Sequence, residues 1–133
     1  MGKDIMMEIH ETDGMVYGLV DGKQVSHIEY KTIGYKTKRL YIDNVYTIGI
    51  ERGKGYASQL LEYLVKKYGD KVNIQLSCRP YGVRFLSDEF GEKYKDLQEK
   101  TARWYEKFGF TTKSKDMYES SYKWIMIRKK ITL

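Results

Sequence analysis

The hydrophobic pattern of this chain changes its period at the glycine-rich segment 52–58. Before this segment, short runs such as residues 15–20 and 25–30 show the alternation and composition that are typical of strands. After it, apolar side chains recur at the spacing of one helix face, at Ala57, Leu60, Leu61, Leu64 and Val65. A strand that ends in a glycine-rich loop and continues as an amphipathic helix excludes most all-β and all-helical folds.

The first third of the chain predicts an antiparallel meander. We expect strands over about residues 4–11, 15–20, 25–30 and 39–48. The dipeptides Asp13-Gly14 and Asp21-Gly22 are typical of the tight turns that join such strands.

The pattern of the remaining sequence predicts helices that alternate with strands. We expect a helix over 54–68, closed by Gly69 in a left-handed conformation, and a second helix over about 92–108 that stops at Gly109. Short strands are expected over 72–77, 110–112 and 122–128. The strand–helix–strand order around 54–68 favours a right-handed crossover and one parallel strand pair. The chain therefore predicts one α+β domain over residues 1–133, with a mixed, mostly antiparallel sheet of about seven strands flanked by helices.

Composition excludes several kinds of site. The single cysteine, Cys78, rules out an internal disulfide and the usual cysteine zinc sites, and two histidines are too few for a histidine-rich metal cluster. We therefore expect no metal. No run of eighteen apolar residues and no apolar leader is present, so we expect a cytoplasmic protein that does not span a membrane. The net charge of +6 is spread along the chain, which makes nucleic acid a less favoured partner than a phosphate-bearing cofactor.

The segment Arg52–Ser58 has the properties of an anion-binding loop. A helix start exposes backbone N–H groups, glycines allow close approach, and the helix dipole favours negative charge. The spacing does not match a nucleotide P-loop, because Ser or Thr is missing after the lysine. It does not match a dinucleotide fingerprint either, because Ser58 occupies the place of the third glycine. A glycine-rich loop without a ligand is the remaining alternative.

Two motifs together make the chain similar to the GNAT (GCN-five-related) N-acetyltransferase superfamily. Arg52, Gly55 and Ala57 match its acetyl-CoA motif, [QR]-x-x-G-x-[GA]. The run Tyr105-Glu106-Lys107-Phe108-Gly109-Phe110 matches a second motif, A-x-x-x-Y-E-K-x-G-F, in which Thr101 replaces the alanine. The resemblance covers roughly residues 39–130 and implies a sheet whose two parallel strands splay apart around acetyl-CoA.

The resemblance also implies which residues contact this cofactor. The main chain of Val45, Tyr46 and Thr47 would pair with the pantetheine arm, as an added strand does. Arg52 and Lys54 would add positive charge, and Gln98 stands where many members place a cofactor-binding asparagine. The pyrophosphate would be bound by backbone N–H groups of Gly53, Lys54, Gly55, Tyr56, Ala57 and Ser58.

The catalytic residues follow from the same resemblance. Tyr105 matches the tyrosine that donates to the departing thiolate, although a core-facing aromatic is its alternative. Tyr41 occupies the position at which some members carry a glutamate base, and Asp43, two residues on, is our candidate base. Other sources of a base are His27, Glu29 and a chain of water molecules. Cys78 is expected to be buried and inert, with a thiol near the acetyl group as the alternative.

The acceptor side departs from the family pattern. Most members insert two helices between the first two strands, whereas here Asp13-Gly14 allows only a short turn. Either the acceptor cleft is unusually open, or the aromatic segment 81–90 fills the gap. Arg84 within that segment and Arg79 just before it would favour acceptors with acidic groups.

The sequence thus predicts transfer of an acetyl group from acetyl-CoA to a primary amine of a protein, peptide or small molecule. A non-catalytic acyl-CoA-binding module is the main alternative, and a basic nucleic-acid-binding domain is a weaker one. The aromatic segment could also join two copies into a homodimer.

Overall fold

The computed structural model describes residues 6–47, 54–78, 91–116 and 123–131, with backbone alone for 91–97, 114–116 and residue 123. It contains seven strands and two helices in these ranges. In chain order they are β1 (Glu8–Thr12), β2 (Met15–Val20), β3 (Lys23–Ile33), β4 (Arg39–Thr47), α1 (Tyr56–Tyr68), β5 (Asn73–Cys78), α2 (Gly91–Glu106), β6 (Thr111–Asp116) and β7 (Lys123–Arg128).

All seven strands form one sheet in the order β1-β2-β3-β4-β5-β7-β6. Every neighbouring pair is antiparallel except β4 and β5, which are parallel. The predicted α+β class and mixed seven-stranded sheet are therefore confirmed. The predicted turn at Asp13-Gly14 is confirmed as well, since these are the two residues between β1 and β2.

The parallel ladder covers only part of its two strands. It joins Arg39–Ile42 to Asn73–Leu76, whereas β4 continues to Thr47 and β5 to Cys78. Asp43 directly follows the last pair and is the additional residue of a β-bulge between β3 and β4. The two strands thus stop pairing at Ile42 and Leu76, as expected for a sheet that opens around a ligand.

Both helices pack on the same face of the sheet. The apolar stripe of α1 places Leu60, Leu61 and Leu64 in the core, where they are fully buried. Arg128 of β7 connects the ends of the two helices, because its guanidinium donates to the carbonyls of Phe108 and Gly69 at 2.9 and 3.1 Å. We call the opposite face, on which no described helix packs, the open face.

Several predicted boundaries were wrong by a few residues. β1 begins at Glu8, and β3 extends beyond 25–30 in both directions. The helix α1 begins at Tyr56, because Gly55 has a φ of 81°, which is left-handed and incompatible with a helical turn. The second helix ends at Glu106, where the chain turns back through hydrogen bonds from the N–H groups of Phe108 and Gly109.

The prediction of a left-handed Gly69 was also wrong. Gly69 has a φ of −67°, and its N–H continues the helical pattern by donating to Val65. A Cβ at this position would lie 2.4 Å from Nη1 of Arg128 and 2.5 Å from the Val65 carbonyl oxygen. Glycine is therefore needed here for close approach and not for a positive φ.

Candidate active site

The predicted cofactor-binding strand segment lies where β4 and β5 have ceased to pair. Val45 is half-buried against the core, Tyr46 is exposed, and Thr47 is buried. The Ser26 hydroxyl of β3 donates to the Tyr46 carbonyl at 2.8 Å and lies 2.9 Å from the Thr47 hydroxyl. Because backbone groups alternate in direction along a strand, this bond turns the Tyr46 carbonyl towards β3 and those of Val45 and Thr47 towards β5.

The start of α1 has the features of an anion-binding helix terminus. Gly55 is its N-cap in the left-handed conformation, and no side chain caps the first turn. The first turn contains no acidic residue, and a Cβ on Gly55 would meet no atom within 4 Å. The first-turn N–H groups, which include those of Tyr56, Ala57 and Ser58, have no partner within the helix. Lys54 is exposed beside them.

Two of the predicted loop residues, Arg52 and Gly53, lie outside the described residues. The aromatic segment 81–90 and the neighbouring Arg79 lie outside them as well. Their predicted roles therefore stay predictions.

The two helices meet at the candidate site through Ser58 and Trp104. The indole N–H of Trp104 donates to the Ser58 hydroxyl at 3.0 Å, which joins the first turn of α1 to α2. Tyr105, the next residue, is 7% exposed, and its ring packs edge-on against Trp104 and Phe110 at 4.8 and 5.8 Å. Tyr105 therefore makes the contacts of a core packing residue. It is also the residue that the sequence predicts to donate to the departing thiolate.

Gln98 lies at the carboxyl end of β5. Its side chain is fully buried, and its amide nitrogen donates to the Cys78 carbonyl at 2.6 Å. This bond holds α2 against the strand at the point where the parallel pair has ended. Gln98 therefore lies next to the opening between β4 and β5, a position that is compatible with the predicted cofactor contact. The observed hydrogen-bond partner of its side chain is the main chain of Cys78.

Cys78 is buried, as expected. Burial raises the pKa of its thiol to about 12, so the sulfur is protonated at neutral pH. A thiolate is the nucleophilic form of cysteine, and the structure therefore favours the inert interpretation.

The candidate bases lie on or beside the open face. Asp43 is exposed and lies 3.5 Å from the Lys31 ammonium. His27 lies 3.2 Å from the Glu29 carboxylate through Nε2 and 3.1 Å from the Gln24 amide through Nδ1. Both imidazole nitrogens therefore have partners, whereas Asp43 adjoins the last paired residue of the parallel ladder.

Two features near the sheet could not be predicted from local pattern. The Tyr41 hydroxyl lies 2.8 Å from the Ser77 hydroxyl and connects β4 to β5 beside the opening. Glu11 of β1 accepts hydrogen bonds from Lys67 at 2.5 Å and from the hydroxyls of three tyrosines, Tyr30, Tyr63 and Tyr68. Glu11 lies in an alternating strand, where the sequence indicates only a solvated carboxylate.

The Glu11 cluster lies far from the loop. Burial alone would raise the pKa of Glu11, but the hydrogen bonds from Lys67 and the tyrosines outweigh it and lower the pKa to about 2. An open pocket of about 650 Å³ borders the cluster. Since Lys67 is twelve residues after Gly55, the cluster is separated from the helix start by about 18 Å along α1.

The described residues contain no group of three or more histidine, cysteine, aspartate or glutamate side chains that could hold a metal ion. Neither of the two described helices is long and apolar enough to cross a bilayer.

Comparison with solved structures shows the same fold in acetyltransferases. Naa50 from Arabidopsis thaliana, in complex with the bisubstrate analogue CoA-Ac-MVNAL, superposes with a TM-score of 0.63 at 16% identity, over 88% of this chain and 73% of that one. A histone acetyltransferase HPA2 and related acetyltransferase from Corynebacterium glutamicum gives 0.66 at 16% identity, over 90% and 65%. The PaiA N-acetyltransferase from Thermoplasma acidophilum, in complex with coenzyme A, gives 0.55 at 20% identity, over 86% and 59%.

The chain thus spans between about three fifths and three quarters of the length of these structures. A comparison with curated proteins found no match. The profile described as the acetyltransferase (GNAT) family matches residues 3–110, which is most of the sequence. Together with the shared fold, this match shows that the chain belongs to the GNAT acetyltransferase family.

Proposed function

We propose that the chain is an N-acetyltransferase that transfers an acetyl group from acetyl-CoA to a primary amine by direct attack. The observation that supports this proposal best is that the parallel ladder ends at Ile42 and Leu76, and the start of α1, further along the chain, has no side-chain cap. An opened sheet edge and an unblocked helix N-terminus suit an extended arm joined to a pyrophosphate. The coenzyme A bound in the PaiA structure is consistent with this choice.

The residues of the site fit the proposed cofactor. Open space beside Gly55 would accommodate a phosphate close to the backbone, and the absence of acidic residues from the first turn of α1 avoids repulsion. We assign phosphate binding to the backbone of residues 53–58, with Arg52 and Lys54 adding charge. The main chain of Val45–Thr47 would pair with the pantetheine arm through Val45 and Thr47, whose carbonyls face β5, whereas the carbonyl of Tyr46 faces β3. Gln98 would contact the cofactor from α2.

The chemistry requires a base, a stabilised carbonyl oxygen and a proton for the leaving group. Acetyl-CoA supplies the thioester whose C–S bond breaks. We assign Asp43 to take the proton of the attacking amine, directly or through water, because it lies where β4 and β5 part. A backbone N–H near Thr47 would stabilise the carbonyl oxygen, and Tyr105 would donate a proton or hydrogen bond to the departing sulfur.

A non-catalytic acyl-CoA-binding module is the second candidate. The two-residue connection between β1 and β2 favours it, because the helices that line the acceptor site in most members are missing there. This candidate requires cofactor binding without turnover. We expect the protein to act in the cytoplasm, with a protein, peptide or small-molecule amine as acceptor.

The test is release of free thiol from acetyl-CoA in the presence of a panel of peptides, polyamines and aminoglycosides. Thiol release that requires an amine, together with a rise in Tm on addition of coenzyme A, supports the acetyltransferase. A rise in Tm with no thiol release from any acceptor supports the binding module. No change in Tm at millimolar coenzyme A contradicts both.

A further inference from the structure

Four ring-bearing residues form a single row across the open face. Backbone pairing aligns His10 of β1 with Tyr17 of β2, Tyr17 with His27 of β3, and His27 with Tyr46 of β4. Because paired residues of adjacent strands project from the same face, these four side chains lie side by side. We call them the His–Tyr row, and it includes both histidines of the chain.

The rings of the row contact each other in pairs, and the two outer rings are more exposed than Tyr17 and His27, whose side chain is 18% exposed. His10 stacks on Tyr17 with 5.5 Å between ring centroids, and His27 lies 5.4 Å from Tyr46. The side chain of His10 is 46% exposed and Tyr46 is 42% exposed. The row therefore presents ring surfaces to a ligand from the edge strand β1 to β4, which is one of the two parallel strands.

The charge beside the row is negative. Glu8 lies 3.4 Å from His10, and Glu29 lies 3.2 Å from His27. The cross-strand rows on either side contain these two carboxylates and, among their described residues, no lysine or arginine. Lys31 follows Glu29 by two residues on the same face of β3, and its ammonium is paired with the Asp43 carboxylate. This local pattern is the reverse of the chain's overall charge of +6.

We propose that the His–Tyr row docks a basic, extended polypeptide segment and directs its acceptor amine towards the opening beside Tyr46. Aromatic rings flanked by carboxylates attract lysine and arginine side chains through cation–π and ionic contacts. This inference rests on the proposed function, because it names the acceptor class of the same site. It differs from the expectation drawn from Arg79 and Arg84, which favoured acidic acceptors.

The size of the row matches a short peptide. Four adjacent strands span about 14 Å, since neighbouring strands are about 4.8 Å apart. An extended chain covers this distance with about four residues at roughly 3.3 Å each. A segment that begins over His10 would therefore end over Tyr46, and its next residue would extend beyond β4 on the side where β4 and β5 no longer pair.

The experiment measures binding of a peptide that cannot be acetylated. A fluorescent, N-terminally blocked peptide with two arginines and no lysine is titrated with the protein in low salt, and fluorescence anisotropy gives the Kd. A peptide with glutamates in place of the arginines, and a single blocked arginine amide, serve as comparison ligands. We expect the basic peptide to bind at least about tenfold more tightly than either, with an affinity that falls as salt rises.

Matched variants locate the binding surface. Glu8→Lys and Tyr17→Thr should each weaken peptide binding by about three- to tenfold. Glu62→Lys makes the same charge change on α1, where Glu62 is exposed and paired with Lys66, and should leave peptide binding unchanged. All three variants should keep the Tm increase caused by coenzyme A, because none of these positions is in the proposed cofactor site.

Three results would overturn the inference. The acidic peptide could bind as tightly as the basic one, Glu8→Lys and Glu62→Lys could have equal effects, or the single arginine amide could match the full peptide. A dimer that Glu8→Lys dissociates would also overturn it, since a second copy would then occupy the row. If coenzyme A does not raise the Tm, the proposed acetyltransferase function is contradicted. The peptide titration still measures binding to the His–Tyr row, because it does not require the cofactor.

Discussion

The indole N–H of Trp104 and the hydroxyl of Ser58 form the hydrogen bond that joins α2 to the first turn of α1. One helix begins at the loop proposed to bind phosphate, and the other contains Tyr105. The relative position of the two proposed functional groups therefore depends on this bond and on the packing around it.

A double-mutant cycle should detect this link. Ser58→Ala and Trp104→Phe should each lower the free energy of unfolding by about 1 kcal/mol, and the double variant should lose less than the sum. Trp104→Phe retains a ring that can pack against Tyr105 and Phe108. Urea unfolding measures all four proteins, and strict additivity would show that the bond contributes nothing in solution.

Gly55 should matter for cofactor binding beyond its effect on stability. Gly55→Ala places a side chain at a φ of 81°, which should cost about 1–2 kcal/mol of folding free energy. Gly22→Ala is the matched control, because Gly22 has a φ of 77° and equally open surroundings in the β2–β3 turn. Both variants should lower the Tm alike, but only Gly55→Ala should reduce the Tm increase caused by coenzyme A. Equal increases in both variants would place the cofactor elsewhere.

Tyr105→Phe should separate catalysis from binding. Loss of the hydroxyl should lower kcat by about ten- to a thousandfold and leave the Kd for coenzyme A within about twofold. Tyr68→Phe is the control, because it removes a tyrosine hydroxyl bonded to Glu11 at the far end of α1. Both variants are assayed well below their Tm. An unchanged kcat in Tyr105→Phe would assign Tyr105 to the core alone.

Asp43→Asn should lower turnover if Asp43 accepts the amine proton. We expect a decrease in kcat of about a hundredfold, with a smaller loss at high pH where more of the acceptor is already deprotonated. Glu29→Gln tests the neighbouring carboxylate, which pairs with His27. A decrease in kcat limited to Glu29→Gln would transfer the role to the His27–Glu29 pair, and normal kcat in both variants would favour a water chain.

Glu11 should make stability fall in acid. Its pKa in the folded protein is about 2, below its usual value of 4.5, so the carboxylate stabilises the fold above about pH 5. This stabilisation, at most about 3 kcal/mol, is lost as the pH falls from about 5 to 2. Unfolding of Glu11→Gln should therefore depend less on pH in this range than unfolding of the wild type. Glu62→Gln, which removes an exposed carboxylate, should leave the slope nearly unchanged.

The local sequence pattern was sufficient to predict the architecture. Alternation and turn dipeptides predicted β2 to its observed ends and the two-residue connection before it. The change of period at 52–58 predicted α1 and the parallel pair that follows from a right-handed crossover. These features depend on residues a few positions apart, so they are present in the sequence itself. The roles of the predicted site residues, including Arg52 and Gly53, and the single domain over 1–133 stay predictions.

Contacts between distant residues were decided by the tertiary structure alone. Position 69 requires glycine because Arg128, 59 residues later, occupies the space beside it. Glu11 has a depressed pKa because the fold brings Lys67 and three tyrosines to one carboxylate of an edge strand. The His–Tyr row likewise exists only through the register of four strands. The periodicity of the sequence indicates which face of an element a residue occupies. Strand register and helix packing determine which distant residues become neighbours.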